Sequence, residues 1–190
     1  MGDVATKRAR LTELLRRDAV KVAPPGESFT LASGKLSNWF CNGKEVTLRA
    51  EGLRLVAELM LDALRDSRPQ AVGGVSIGAD PMIGAMVALS GGTELPLQGF
   101  IVRKEAKDHG LGDRIAGPSL ALITRVAMVE DVTTTGGSTL GAIEALRAAC
   151  PEVEVVMVLT IVDREEGAAA AYAAAGIPFA ALLTKTDLGV

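Results

Sequence analysis

The chain has 190 residues, 48% of them hydrophobic, enough for one domain with a sizeable core and too apolar for a disordered chain. A net charge of -3 argues against nucleic acid as the main partner, and two distant cysteines, Cys41 and Cys150, without metal-ligand spacing fit a reduced, cytoplasmic protein. The charged N-terminus lacks the apolar core of a signal peptide, no apolar run is long enough to span a bilayer, and Gly2 with Thr6 matches only the loose myristoylation pattern, so no membrane partner is expected.

In chain order, residues 5–17 read as a short amphipathic helix, and 27–48, rich in β-formers around the turn at Ser33 and Gly34, as a hairpin or small antiparallel excursion. Residues 49–66 form a clear helix, with Leu53, Val56, Ala57, Met60 and Leu64 as its apolar stripe. From there strands at 70–76, 97–103, 125–131, 153–163 and 179–184 alternate with helices at 80–90, 138–149 and 165–176, while 104–119 is a long polar loop. That alternation predicts an α/β fold, a mostly parallel sheet flanked by helices. No linker divides the chain, so 1–190 is expected to be one domain, with 1–49 forming a helix and small hood and 50–190 the α/β core.

The stretch 127–139, AMVEDVTTTGGST, is the most informative. In a parallel sheet, ligands gather beyond the carboxyl ends of the strands. A strand ending at Val129 would put Glu130 and Asp131 there. Thr133, Thr134, Thr135, Gly136, Gly137 and Ser138 would then offer N–H and hydroxyl donors to an anion at the start of the next helix. Acceptors beside donors match a phosphorylated sugar, and a carboxylate beside the anomeric carbon would stabilise positive charge developing there. Neither the P-loop pattern nor the G-x-G-x-x-G fingerprint occurs. The bland alternative is an ordinary strand, turn and capped helix.

The polar loop carries Arg103, Lys104, Lys107, His109 and Arg114 among Gly110, Gly112 and Gly117. It suits a lid that neutralises a departing anion and excludes water, or equally a solvated mixed-charge loop.

Two stretches carry a family resemblance. MVEDVTTTGGST, 128–139, resembles the phosphoribosyl pyrophosphate (PRPP) signature of type I phosphoribosyltransferases, and RKEAKDHG, 103–110, resembles the catalytic loop of the orotate phosphoribosyltransferase family. FTLASGKLSNWF near the N-terminus and DREEG at 163–167 are similar to segments of the same family. The resemblance implies the type I phosphoribosyltransferase fold, with Glu130 and Asp131 on the ribose hydroxyls and the loop from Thr133 to Ser138 on the 5-phosphate. Arg103, Lys104, Lys107 and His109 would bind PRPP, and Lys107, Asp108 and His109 would act in catalysis from a loop that reaches across a homodimer into the partner's site. Phe40, Thr134 and Arg164 would bind orotate, Arg164 through the carboxylate. Mg²⁺ is the implied cofactor, held mostly through water and substrate, with no direct protein ligand assigned. Two positions depart from the best-known bacterial pattern, Ala32 and Gly78 standing where basic residues are frequent. A purine phosphoribosyltransferase and a non-enzymatic PRPP sensor are the alternatives. Arg164, which would have no carboxylate to grip on a purine, speaks against the first. The lack of a DNA-binding segment speaks against the second.

Overall fold

A computed structural model describes residues 3–30, 34–105 and 114–190. Helix α1 (Val4–Leu14) starts at Asp3, whose side chain accepts from the Thr6 N–H at 2.7 Å. It continues through one wide turn, Leu15–Ala19, so the N-terminal helical segment outlasts the 5–17 expected. The hood then departs from a single hairpin. Strand β1 (Val20–Val22) pairs antiparallel with β4 (Trp39–Cys41), β2 (Phe29–Thr30) with β3 (Leu36–Ser37), and a short helix α2 (Lys44–Thr47) follows.

Helix α3 (Ala50–Ala63) packs against α1 and α4 (Asp80–Ser90). Covered from two sides, it buries Leu55 and Leu59 as well as Val56, Ala57 and Met60, while Leu53 of the predicted stripe is only half-buried. The main sheet of the described residues comprises β5 (Ala71–Val75), β6 (Gln98–Val102), β7 (Ile115–Ala116), β8 (Arg125–Thr133), β9 (Glu154–Asp163) and β10 (Phe179–Thr184). Its order is β10-β9-β8-β5-β6-β7, parallel throughout except for β7, which runs antiparallel on β6. The expected mostly parallel sheet is therefore present. Strand β7 lies inside the stretch read as loop, too short to leave a periodic signal. The remaining helices are α5 (Gly137–Ala149), α6 (Ala168–Ala174) and α7 (Lys185–Leu188), the last closed by a capping box between Thr184 and Asp187.

Alternation along β8 feeds two cores. Ala127 and Val129 face α3, α4 and the hood, whereas Val126 and Met128 join Phe100, Ile143, Leu146 and Tyr172 on the α5–α6 face. β8 pairs with β5 only as far as Met128 opposite Gly73, yet stays paired with β9 to Thr133 opposite Asp163. The strand thus runs to Thr133, two residues past the 125–131 expected, carrying both acids within it. One edge remains bonded to β9 past both acids while the other edge stands free.

Candidate active site

Past Met128, β8 is no longer paired with β5, and its tip stands at the carboxyl end of the sheet beside the turn from β5 into α4. Gly74 lets the strands and the turn meet: a Cβ there would lie 2.3 Å from the Val129 carbonyl oxygen and 2.5 Å from the Ala79 Cβ. Successive strand residues point to opposite faces, and the two acids divide accordingly. Glu130 turns toward α5. Its Oε2 accepts from the hydroxyls of Thr133 and Thr139, the latter at 3.0 Å. Burial pushes its carboxyl above the ordinary range; the two hydroxyls pull it back in part, and the charge of Asp131 adds to the rise. Asp131 turns toward the hood and the β5–α4 turn. Its Oδ1 accepts from the Val132 N–H at 2.9 Å, and its Oδ2 is 3.8 Å from the Lys44 ammonium. Gly78 and Gly43 close around it, since an added Cβ would approach Asp131 Oδ1 to 2.7 Å from Gly78 and Asp131 Cβ to 3.0 Å from Gly43.

The loop after β8 is tighter than expected. Thr133 belongs to the strand, Thr133 and Thr139 are buried, and their hydroxyls serve Glu130. Thr134 is half-buried, and Thr135, Gly137 and Ser138 are exposed. Gly136 takes φ +80° as the helix N-cap, with no side-chain cap, so the first-turn N–H groups of α5 have no side-chain acceptor. Oriented donors and the helix dipole suit a phosphate here.

Arg164 follows β9 and is 2% exposed. Its N–H donates to the Thr133 carbonyl at 3.0 Å. Its Nε donates to Glu166 Oε1 at 2.9 Å, its Nη2 donates to Ser37 Oγ at 2.9 Å, and the guanidinium lies 4.0 Å from the Trp39 ring centroid. Trp39 is buried and Phe40 beside it faces the other way, half-open, 6.0 Å from the Phe29 ring. The hood thus meets the core through Arg164, stacked and hydrogen-bonded on two sides, with no hydrogen bond at Nη1 among the described residues.

Arg103 and Lys104 leave β6 at the same end of the sheet. The Arg103 N–H donates to the Arg114 carbonyl at 2.8 Å, and Arg114 Nε donates back to the Arg103 carbonyl at 3.0 Å, fastening the base of the polar loop. Lys104 is exposed. Lys107, Asp108 and His109 lie outside the described residues, as does Ala32. The structure adds Lys44, Ser37 and Tyr172, which the sequence reading did not assign. Lys44 and Ser37 meet the site only after the hood folds over the sheet, and Tyr172 sat in an alanine run that reads as plain core. The described residues contain no group of three or more His, Cys, Asp or Glu that could hold a metal ion.

A mostly parallel sheet flanked by helices, with two acids on a strand tip before a glycine turn into a helix, is the fold of the type I phosphoribosyltransferases. No family model matches the chain. The orotate phosphoribosyltransferase of Rhodopseudomonas palustris is 43% identical over 192 aligned residues, covering 96% of both chains. That of Corynebacterium glutamicum is 44% identical over 186, covering 98% of this chain and 96% of the relative. The crystal structure of the Mycobacterium tuberculosis orotate phosphoribosyltransferase in complex with PRPP is 34% identical, with a TM-score of 0.77, covering 97% of this chain and 99% of that one. The chain belongs to the orotate phosphoribosyltransferase family.

Proposed function

We infer that this chain transfers the phosphoribosyl group of PRPP to orotate, giving orotidine 5′-monophosphate and pyrophosphate in pyrimidine nucleotide synthesis. What supports the reading is that Glu130, Asp131 and the α5 N-terminus lie at the carboxyl end of β8, with the Arg164 N–H bonded to the Thr133 carbonyl beside them, in a chain of this family.

The 5-phosphate would take the donors of half-buried Thr134, of exposed Thr135, Gly137 and Ser138, and the first-turn N–H groups. Glu130 and Asp131, on opposite faces of β8, would accept from the ribose hydroxyls, and their charge favours an oxocarbenium-like anomeric carbon. Orotate would lie between Phe40 and Thr134, its carboxylate on Arg164, whose guanidinium is already oriented by Trp39, Ser37 and Glu166. The bond from the anomeric carbon to the pyrophosphate oxygen breaks, the oxygen keeping the electron pair, and the orotate ring nitrogen forms the new bond. Because that nitrogen is acidic enough to arrive as an anion, no strong general base is assigned. Arg103, Lys104, Lys107 and His109 would balance charge on the leaving pyrophosphate, with Asp108 beside them on the closing loop, which we propose comes from the partner in a homodimer. Lys44, near Asp131, is placed to add a further cation.

The residues suit Mg²⁺ carried by its substrate. Asp131 offers a partly open carboxylate, the described residues form no ligand cluster, and this hard cation dehydrates reluctantly. When bound, Mg²⁺ would neutralise diphosphate charge. No described helix is long and apolar enough to cross a membrane, in keeping with the proposed cytoplasmic location.

The test is the absorbance change of orotate on adding PRPP, with and without Mg²⁺, with adenine, hypoxanthine and uracil as controls. Orotate-dependent, PRPP-dependent turnover is expected; turnover of a purine instead would overturn the assignment.

A further inference from the structure

Tyr172 is the one large side chain on α6, whose sequence is otherwise alanine. It is fully buried and stacks on Phe179 at 4.9 Å between centroids. A phenylalanine would pack as well, so the hydroxyl needs its own explanation. It is buried, and it makes no hydrogen bond, a standing cost for any polar atom taken out of water. Among the described residues, the other buried side-chain oxygens without a hydrogen bond are Thr47 Oγ1 in the hood and Glu58 Oε2, the latter ion-paired 2.8 Å from Lys7 Nζ. Only that of Tyr172 lies at the site.

Its surroundings point to Glu130. Gly136, the left-handed residue that opens the phosphate turn, sits directly on the ring: a Cβ there would come within 2.9 Å of Tyr172 Cζ and 3.1 Å of its oxygen. Burial, and then the Glu130 charge, push the phenol up to about 12, so it keeps its proton. Donation from Tyr172 in turn works to lower the Glu130 carboxyl, though no hydrogen bond of ordinary geometry joins them. The groups that set the charge state of Glu130 are Asp131 on its own strand, the hydroxyls of Thr133 and Thr139, and Tyr172 from α6; the same two hydroxyls, and then Asp163 at the end of β9, act on Tyr172.

We propose that the Tyr172 hydroxyl is a reserve donor to Glu130, completing the hydrogen bonding of that carboxylate when it takes the ribose of PRPP, so that Tyr172 is a positioning residue for the sugar. The inference rests on the reading that PRPP binds at the β8 tip. Among the described residues Glu130 accepts two hydrogen bonds, both on Oε2, and to accept from a sugar hydroxyl it must be fully ionised in a half-buried place. A third donor held one side chain behind it supplies that support without facing solvent or substrate.

The test is Tyr172→Phe in the full chain, which deletes only the oxygen. Calorimetric titration with PRPP and Mg²⁺ across pH should show roughly tenfold weaker binding, the loss of one charge-assisted hydrogen bond. The acidic pH at which affinity falls should move upward, because Glu130 loses a donor that favours its ionised form. The thermal midpoint should be unchanged or higher, since an unpaired buried hydroxyl has gone. PRPP affinity equal to wild type would overturn the proposal, as would weaker binding with a lower midpoint and an unmoved acidic limb, the signature of packing alone. A wild-type protein that binds no PRPP would overturn the functional reading and this inference with it.

Discussion

Gly78 offers a direct test of the steric logic around Asp131. A Cβ at Gly78 would stand 2.7 Å from Asp131 Oδ1 and 2.9 Å from its Cγ. Ordinary contact begins near 3.4 Å, so the carboxylate would have to retreat by about 0.7 Å. Gly43 limits that retreat, leaving only 3.0 Å between its own virtual Cβ and the Asp131 Cβ. A misplacement on the order of 1 Å can cost about a hundredfold in rate. Gly78→Ala should therefore lower kcat/KM for PRPP by roughly ten- to a hundredfold, about 1.4 to 2.7 kcal/mol of transition-state stabilisation. The alanine needs no unusual backbone angle, and the Asp131 side chain is partly exposed, so stability should fall by less than about 1 kcal/mol. Initial rates followed by orotate absorbance, beside thermal melts, separate the two effects. Wild-type kcat/KM in a folded Gly78→Ala protein would show that the position of Asp131 is not what the reaction depends on.

Arg164→Ala should raise the KM for orotate far more than that for PRPP, and Arg164→Lys should not rescue it, because an ammonium cannot reproduce the fork held by Glu166, Ser37 and Trp39; equal effects on both substrates would move orotate elsewhere. Glu130 has a carboxyl raised by burial, so its contribution to stability is present below its unfolded value and lost as pH rises through the folded one. Melts from about pH 4 to 8 should therefore show wild type losing stability relative to Glu130→Gln, and a flat difference would refute the buried carboxylate. Mixed Lys107→Ala and Asp131→Ala subunits should recover activity if each site borrows the partner's loop, and no recovery in proven heterodimers would argue against sharing.

The sheet was readable because long apolar strands and helices alternate, and the β8 tip because two acids interrupt an apolar run. The orientation of those acids was not. It depends on β8 staying paired with β9 as far as Thr133, and local sequence does not show where a neighbouring strand stops. Thr133 reads as a phosphate donor because it is one of three threonines; that its buried hydroxyl also donates to Glu130 is set by tertiary packing, which local sequence does not show. Arg164 was found by motif, whereas its seat on Trp39 and Ser37 joins segments far apart in the chain. Strand β7 and the split hood escaped because their strands of two or three residues are shorter than the window in which periodicity has meaning.

The most direct measurement is a crystal structure of the protein with PRPP and Mg²⁺. Ribose hydroxyls within hydrogen-bonding distance of both Glu130 and Asp131, with the 5-phosphate on the turn from Thr134 to Ser138, are the expected result. PRPP seated away from the β8 tip, with both carboxylates making no contact to the sugar, would contradict it.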